Sequence, residues 1–114
     1  MRNSKVTDIS VLKGMPLERL ALADTGIDDL SPLDGSPIRV LDISRSKVRD
    51  LSIIRRMPLK ELYCNGIKAD DFGVLRKMPI EMLGIDNPEK EAVSRILWTM
   101  PNLRQVNYRS WGQK

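Results

Sequence analysis

Apolar residues return along this chain in one phrase, L-x-x-L-x-L, and a proline precedes every copy. The phrase reads Leu17/Leu20/Leu22, Ile38/Leu41/Ile43, Leu59/Leu62/Cys64, Ile80/Leu83/Ile85 and finally Leu103/Val106/Tyr108. Met15-Pro16, Ser36-Pro37, Met57-Pro58 and Met78-Pro79 introduce the first four copies at steps of 21 residues. Met100-Pro101 follows 22 residues later, with Asn102 inserted before Leu103. A second apolar set closes each coil: Val6/Ile9/Leu12, Ile27/Leu30/Leu33, Val48/Leu51/Ile54 and Ala69/Phe72/Leu75. Within x-L-x-L-x the alternation has period two, as in a strand with one buried face. One such strand cannot bury its own leucines. The pattern therefore predicts that successive coils stack and pair their strands in parallel.

The return path of each coil carries its own repeated chemistry. Asp8-Ile9-Ser10, Asp29-Leu30-Ser31, Asp50-Leu51-Ser52 and Asp71-Phe72-Gly73 recur at the same 21-residue step. Short Asp and Ser side chains accept from free backbone N–H groups at the start of a helical turn. Pro32 suits the first position of such a turn. Short helical or 3₁₀ turns are predicted on the side opposite the strands.

The two ends depart from this frame. After Ile85 the turn phrase gives way to a helical pattern over residues 88–99. Asn87 is a suitable cap, Pro88 fits the first helical position, and Glu89 and Glu91 suit the positive helix start. Ala92, Val93, Ile96, Leu97 and Met100 fall on one face, which predicts a helix closing the stack. Trp98 points nearly opposite that face. It is expected to be covered by the tail with Trp111; the alternative is an exposed second contact, a common role for Trp. At the other end Val6 enters half-way through a repeat (residues 6–16), with no capping device before it. An open strand edge promotes association. The expectation is that this is the C-terminal part of a longer protein, with a dimer covering that end as the alternative.

From Leu17 to Leu33 the chain reads L-x-x-L-x-L-x-x-T-x-I-x-D-L-S-P-L. This resembles the short bacterial leucine-rich repeat of the internalin-like kind, found as arrays in larger proteins including some with serine/threonine kinase domains. The resemblance spans Val6 to Tyr108. It implies an α/β leucine-rich repeat solenoid forming one domain over residues 1–114. Short parallel strands would line the concave face, 3₁₀ or short helical turns the convex face, and a helix would cap the C-terminal end. Ile67 departs from the pattern by standing where Thr25 and Ser46 stand in earlier coils, which interrupts any polar ladder along that edge.

Strand residues that alternate with the buried ones must face outward. They are Arg19, Ala21 and Ala23; Val40, Asp42 and Ser44; Glu61, Tyr63 and Asn65; Met82, Gly84 and Asp86; Gln105, Asn107 and Arg109. Strands spaced about 4.8 Å apart make five of them a surface about 20 Å wide, enough for a peptide or the face of a small domain. Val40, Tyr63 and Met82 form the expected anchor, because Tyr and Met are enriched in interface cores. Arg19, Asp42, Glu61, Asp86 and Arg109 supply a mixed-charge rim, with Asn65 and Asn107 beside it.

Composition narrows the chemistry. There is no histidine and one cysteine, so neither a Cys-His nor a Ser-His pair can form. Cys64 shares its register with Leu22, Ile43 and Ile85 and is expected to be buried and inert. No phosphate-cradling glycine motif occurs. The expectation is a non-enzymatic protein or peptide binder, without cofactor, metal or membrane insertion. The start, Met1-Arg2-Asn3-Ser4-Lys5, is not a secretory signal, and a cytoplasmic location is expected. Net charge is +4. Arg55-Arg56 and Arg76-Lys77, with Lys13, predict a basic stripe, and Arg45, Lys47, Arg49 and Lys68 a second cluster. Asp28, Asp29, Asp50, Asp70 and Asp71 interrupt them, so protein is expected as partner rather than nucleic acid. The alternatives are a structural spacer with no partner, or a basic surface for nucleic acid or phosphate.

Overall fold

The structure is a computed structural model that describes residues 9, 14–68, 72–86 and 90–110. Expectations resting on Val6, Asp8, Ser10, Leu12, Lys13, Ala69, Asp70, Asp71, Asn87, Pro88, Glu89 and Trp111 fall outside those residues. The described chain is α/β. Six strands form one sheet in sequence order: β1 (Arg19–Ala21), β2 (Val40–Asp42), β3 (Glu61–Tyr63), β4 (Met82–Gly84), β5 (Gln105–Val106) and β6 (Arg109–Ser110). The first five pair in parallel and the last is antiparallel. A 3₁₀ turn follows each of β1, β2 and β3, at Ser31–Leu33, Ser52–Arg56 and Phe72–Leu75; one helix, α1 (Glu91–Leu97), follows β4.

The 21-residue step of the sequence is the strand register itself. Arg19 pairs with Val40, Val40 with Glu61 and Glu61 with Met82, so Leu41, Leu62 and Leu83 stack in one row. Those three are at most 1% exposed. Leu20 opens the same row on the outermost strand and is only half-buried, as is Leu17.

The turns follow from the Asp-x-Ser phrase. Asp29 and Asp50 accept the N–H of Ser31 and of Ser52, each at 2.9 Å. That bond holds the Asp50 carboxyl below the usual carboxylate range. Pro32 sits in the first turn of Ser31–Leu33, as its fixed φ predicts. Asp24, Arg45 and Gly66, again 21 residues apart, all take positive φ just after their strands. Gly66 is required there for a second reason: a Cβ would lie 2.9 Å from Cγ of Arg45.

Three expectations need correcting. Tyr108 does not continue the buried row but is 75% exposed. Asn107 and Tyr108 both adopt positive φ, at 53° and 68°, the signature of a two-residue hairpin turn. The chain therefore reverses into β6, and Tyr108 is thrown onto the outward face. Ala23, Ser44 and Gly84, expected to face solvent, are buried. Ser44 is covered because its Oγ accepts the Asn65 N–H of the next coil at 3.2 Å. Finally, α1 is shorter than residues 88–99 and starts after Lys90. Ile96, Leu97 and Met100 are buried and Val93 half-buried, but Ala92 is exposed. With fewer than three turns, the helix lays a narrow stripe on the Phe72–Leu75 turn, and Ala92 lies off it.

Candidate functional site

The outward side chains of the sheet fall into two rows set by the register. Arg19, Val40, Glu61, Met82 and Gln105 form one row; Ala21, Asp42, Tyr63 and Gly84 form the other. Small residues at positions 21 and 84 flank a tyrosine, and this contrast in size shapes the surface. Tyr63 leans over Gly84, where a Cβ would come within 2.9 Å of its ring and 2.7 Å of Oδ1 of Asn65. On the far side Tyr108 stacks on Tyr63, with ring centroids 6.0 Å apart and planes 19° from parallel. Gly84 is what lets the ring of Tyr63 meet that of Tyr108 from the turn after β5.

Beside this wall lies a depression of about 560 Å³. Ala21, Val40, Asp42 and Ser44 line it together with Tyr63, Asn65 and Tyr108, and Arg19 and Arg45 also reach it. The Tyr63 hydroxyl donates to Oε1 of Glu61 at 2.7 Å. Burial, and next that contact with Glu61, push the phenol pKa upward. Tyr63 thus stays neutral and oriented. Arg45 donates from Nε and Nη2 to the two oxygens of Asp24, at 2.6 and 3.1 Å, an exposed pair that orients the guanidinium.

The predicted site residues therefore divide. The structure brings Arg19, Val40, Asp42, Tyr63 and Asn65 together around the depression. Glu61 supports it by anchoring the Tyr63 hydroxyl. Met82 is on the outward face but lies outside the depression. Asp86 is turned to the edge, where Oδ2 accepts the Gly66 N–H at 2.7 Å. Arg109 sits on the exposed β6 arm, off both rows. Asn107 is engaged by its own fold: Oδ1 accepts from Ile85 N at 3.0 Å and Nδ2 donates to Ile85 O at 2.9 Å. Trp98 caps the C-terminus of α1 and is 54% exposed. Its expected cover, Trp111, lies outside the described residues.

Two residues were missed by sequence reasoning. Tyr108 joins the site because the hairpin redirects it, and the Asn before it, a residue that tolerates positive φ, is the one local signal. Arg45 enters from the turn after β2 and has no signal in strand alternation.

Two residues of the basic stripe are engaged by the fold. Arg55 Nη1 donates to the carbonyls of Val74 and Arg76, at 2.6 and 2.8 Å, and Arg56 pairs with Asp34 at 3.1 Å. Lys47, Arg49 and Lys68 line a separate hollow of about 360 Å³ at the sheet edge.

Cys64 lies under the sheet, 1% exposed, with its thiol donating to the Gly84 carbonyl at 3.2 Å. Burial pushes the thiol pKa up to about 12. Since the thiolate is the reactive form, labelling by a thiol reagent near neutral pH should be slower in the native state than in denaturant by roughly a thousandfold. Comparable rates in the two states would contradict the buried register. No known family model matches the chain, and no curated protein is significantly similar to it.

Proposed function

We propose that this chain is a leucine-rich repeat solenoid whose concave sheet face binds a protein segment. The observation that carries this reading is the depression lined by Ala21, Val40 and Asp42 and walled by the Tyr63–Tyr108 pair. It combines the apolar Ala21 and Val40, an aromatic wall and charged side chains on a backbone fixed by parallel pairing. Tyr offers large contact area at low entropic cost, which suits it to an anchor. In this reading the protein is a binding module, not an enzyme, and takes no cofactor. The structural uses of Arg55 and Arg56 favour a protein ligand over a nucleic-acid backbone, which is held by cations available to phosphate.

Selection of peptides from a random displayed library against the full chain tests the proposal. Tyr63→Ala should keep the fold, losing about 1 kcal/mol of aromatic contact. It should weaken the selected peptides by about 2 kcal/mol, as expected when an interface anchor is truncated. Peptides that bind Tyr63→Ala as tightly as the parent would move the site off this face.

A further inference from the structure

We propose that Asn65-Gly66 is a latent deamidation site, and that the Asp86 carboxylate keeps it intact in the folded protein. It is the one Asn-Gly step in the sequence. A glycine after asparagine leaves the backbone nitrogen unhindered and the chain conformationally permissive, which suits the step to cyclisation. The Gly66 N–H gives up its proton, and the nitrogen attacks Cγ of Asn65. The new C–N bond expels the side-chain nitrogen as ammonia and leaves a succinimide. Water then opens the ring at either carbonyl, giving aspartate or isoaspartate at position 65. Water is consumed and ammonia released, with no oxidant or reductant.

The fold needs both residues where they stand. Gly66 takes φ 78° and lies so close to Arg45 that a Cβ would meet Cγ of that residue at 2.9 Å. Asn65 lines the depression and donates from Nδ2 to Oδ1 of Asn107 at 3.4 Å. A labile step is thus built into the strand exit, and the neighbouring coils hold it still. Asn65 N donates to Oγ of Ser44 at 3.2 Å, and its carbonyl accepts the Arg45 N–H at 2.7 Å. The decisive contact is the third: the Gly66 N–H donates to Oδ2 of Asp86 at 2.7 Å. That nitrogen is the nucleophile, and it becomes one only by losing the proton that the carboxylate holds. A negative charge at hydrogen-bond distance also opposes formation of the amide anion. Asp86 lies 20 residues further along the chain, so this protection exists only in the folded state. Deamidation would set a new carboxylate in the depression beside Tyr63. Isoaspartate would also lengthen the main chain where the Asn65 carbonyl meets Arg45.

Ageing the full chain in mildly alkaline buffer tests this, with mass spectrometry of the proteolytic peptide that spans Asn65. The native parent should deamidate far more slowly than the chain in urea. Asp86→Ala should speed the native reaction about tenfold, the equilibrium factor carried by a hydrogen bond to a charged group. Asp86→Asn keeps an acceptor oxygen without the charge and should fall between. Thr25→Ala controls for general loosening: it loses the bond from Thr25 Oγ1 to the Leu22 carbonyl in another coil and should age like the parent. A native parent as labile as the unfolded chain would overturn the proposal. So would Asp86→Ala that ages no faster than the parent, or Thr25→Ala that ages as fast as Asp86→Ala.

Discussion

Leu62→Asp will leave the chain without a cooperative fold. Leu62 is the centre of β3, fully buried, with Leu41 and Leu83 of the neighbouring strands on either side in the same row. Removing its side chain alone should cost about 2–5 kcal/mol, the range for a leucine truncated in a core. Putting a carboxylate there adds several kcal/mol more for an unpaired buried charge. The sum rivals the roughly 5–15 kcal/mol by which whole domains are stable. Because each coil rests on its neighbours, a break in the middle of the sheet separates β1 and β2 from β4 and β5. Far-UV circular dichroism and urea titration check this. A sigmoidal transition at the parent's midpoint would mean that position 62 faces solvent, and the register of every strand would be wrong by one residue.

The coil frame was legible because its physics is local and repeated. A proline at each 21-residue step from Pro16 to Pro79, with leucines alternating behind it, leaves one register for the strands that follow. Asp29 and Asp50 could likewise be read as turn acceptors from their own neighbours two residues on. What could not be read were events that depend on contacts across strands. Leu20 carries the same pattern as Leu62, yet it lies on the outermost described strand and is only half-buried. Ala92 looked like a face residue, but the stripe that α1 buries is set by the Phe72–Leu75 turn beneath it. Gly84 read as an empty outward position. Its meaning, a gap over which Tyr63 leans to meet Tyr108, exists only after the hairpin has placed Tyr108. The site was half legible for the same reason: its strand residues obey alternation, while Tyr108 and Arg45 come from turns.

Asn107→Ala should destabilise the fold by about 2–4 kcal/mol, chiefly through two lost hydrogen bonds to the Ile85 backbone with nothing to replace them, beside a longer one from Nδ2 of Asn65 at 3.4 Å. Sequence alternation made Asn107 a contact residue; the geometry makes it the end of the ladder. Cys64 N donates to Gly84 O and Ile43 N to Tyr63 O, so each coil's strand exit is bonded to the next. Ile85 is the last such residue, and the chain has already turned at 107. The Asn107 amide supplies the acceptor and the donor that a further strand would have supplied, at 3.0 and 2.9 Å. Alanine at φ 53° carries an additional left-handed strain of about 1–2 kcal/mol. Asn107→Gly separates the two causes. It accepts the positive φ without strain but makes neither bond, so it should cost the hydrogen-bond part alone, about 1–2 kcal/mol less than alanine. Urea midpoints of the two variants, read beside peptide affinity, decide the assignment. A structural role predicts a graded loss of stability, with peptide binding restored wherever the fold persists. Unchanged midpoints with lost binding would return Asn107 to the contact surface.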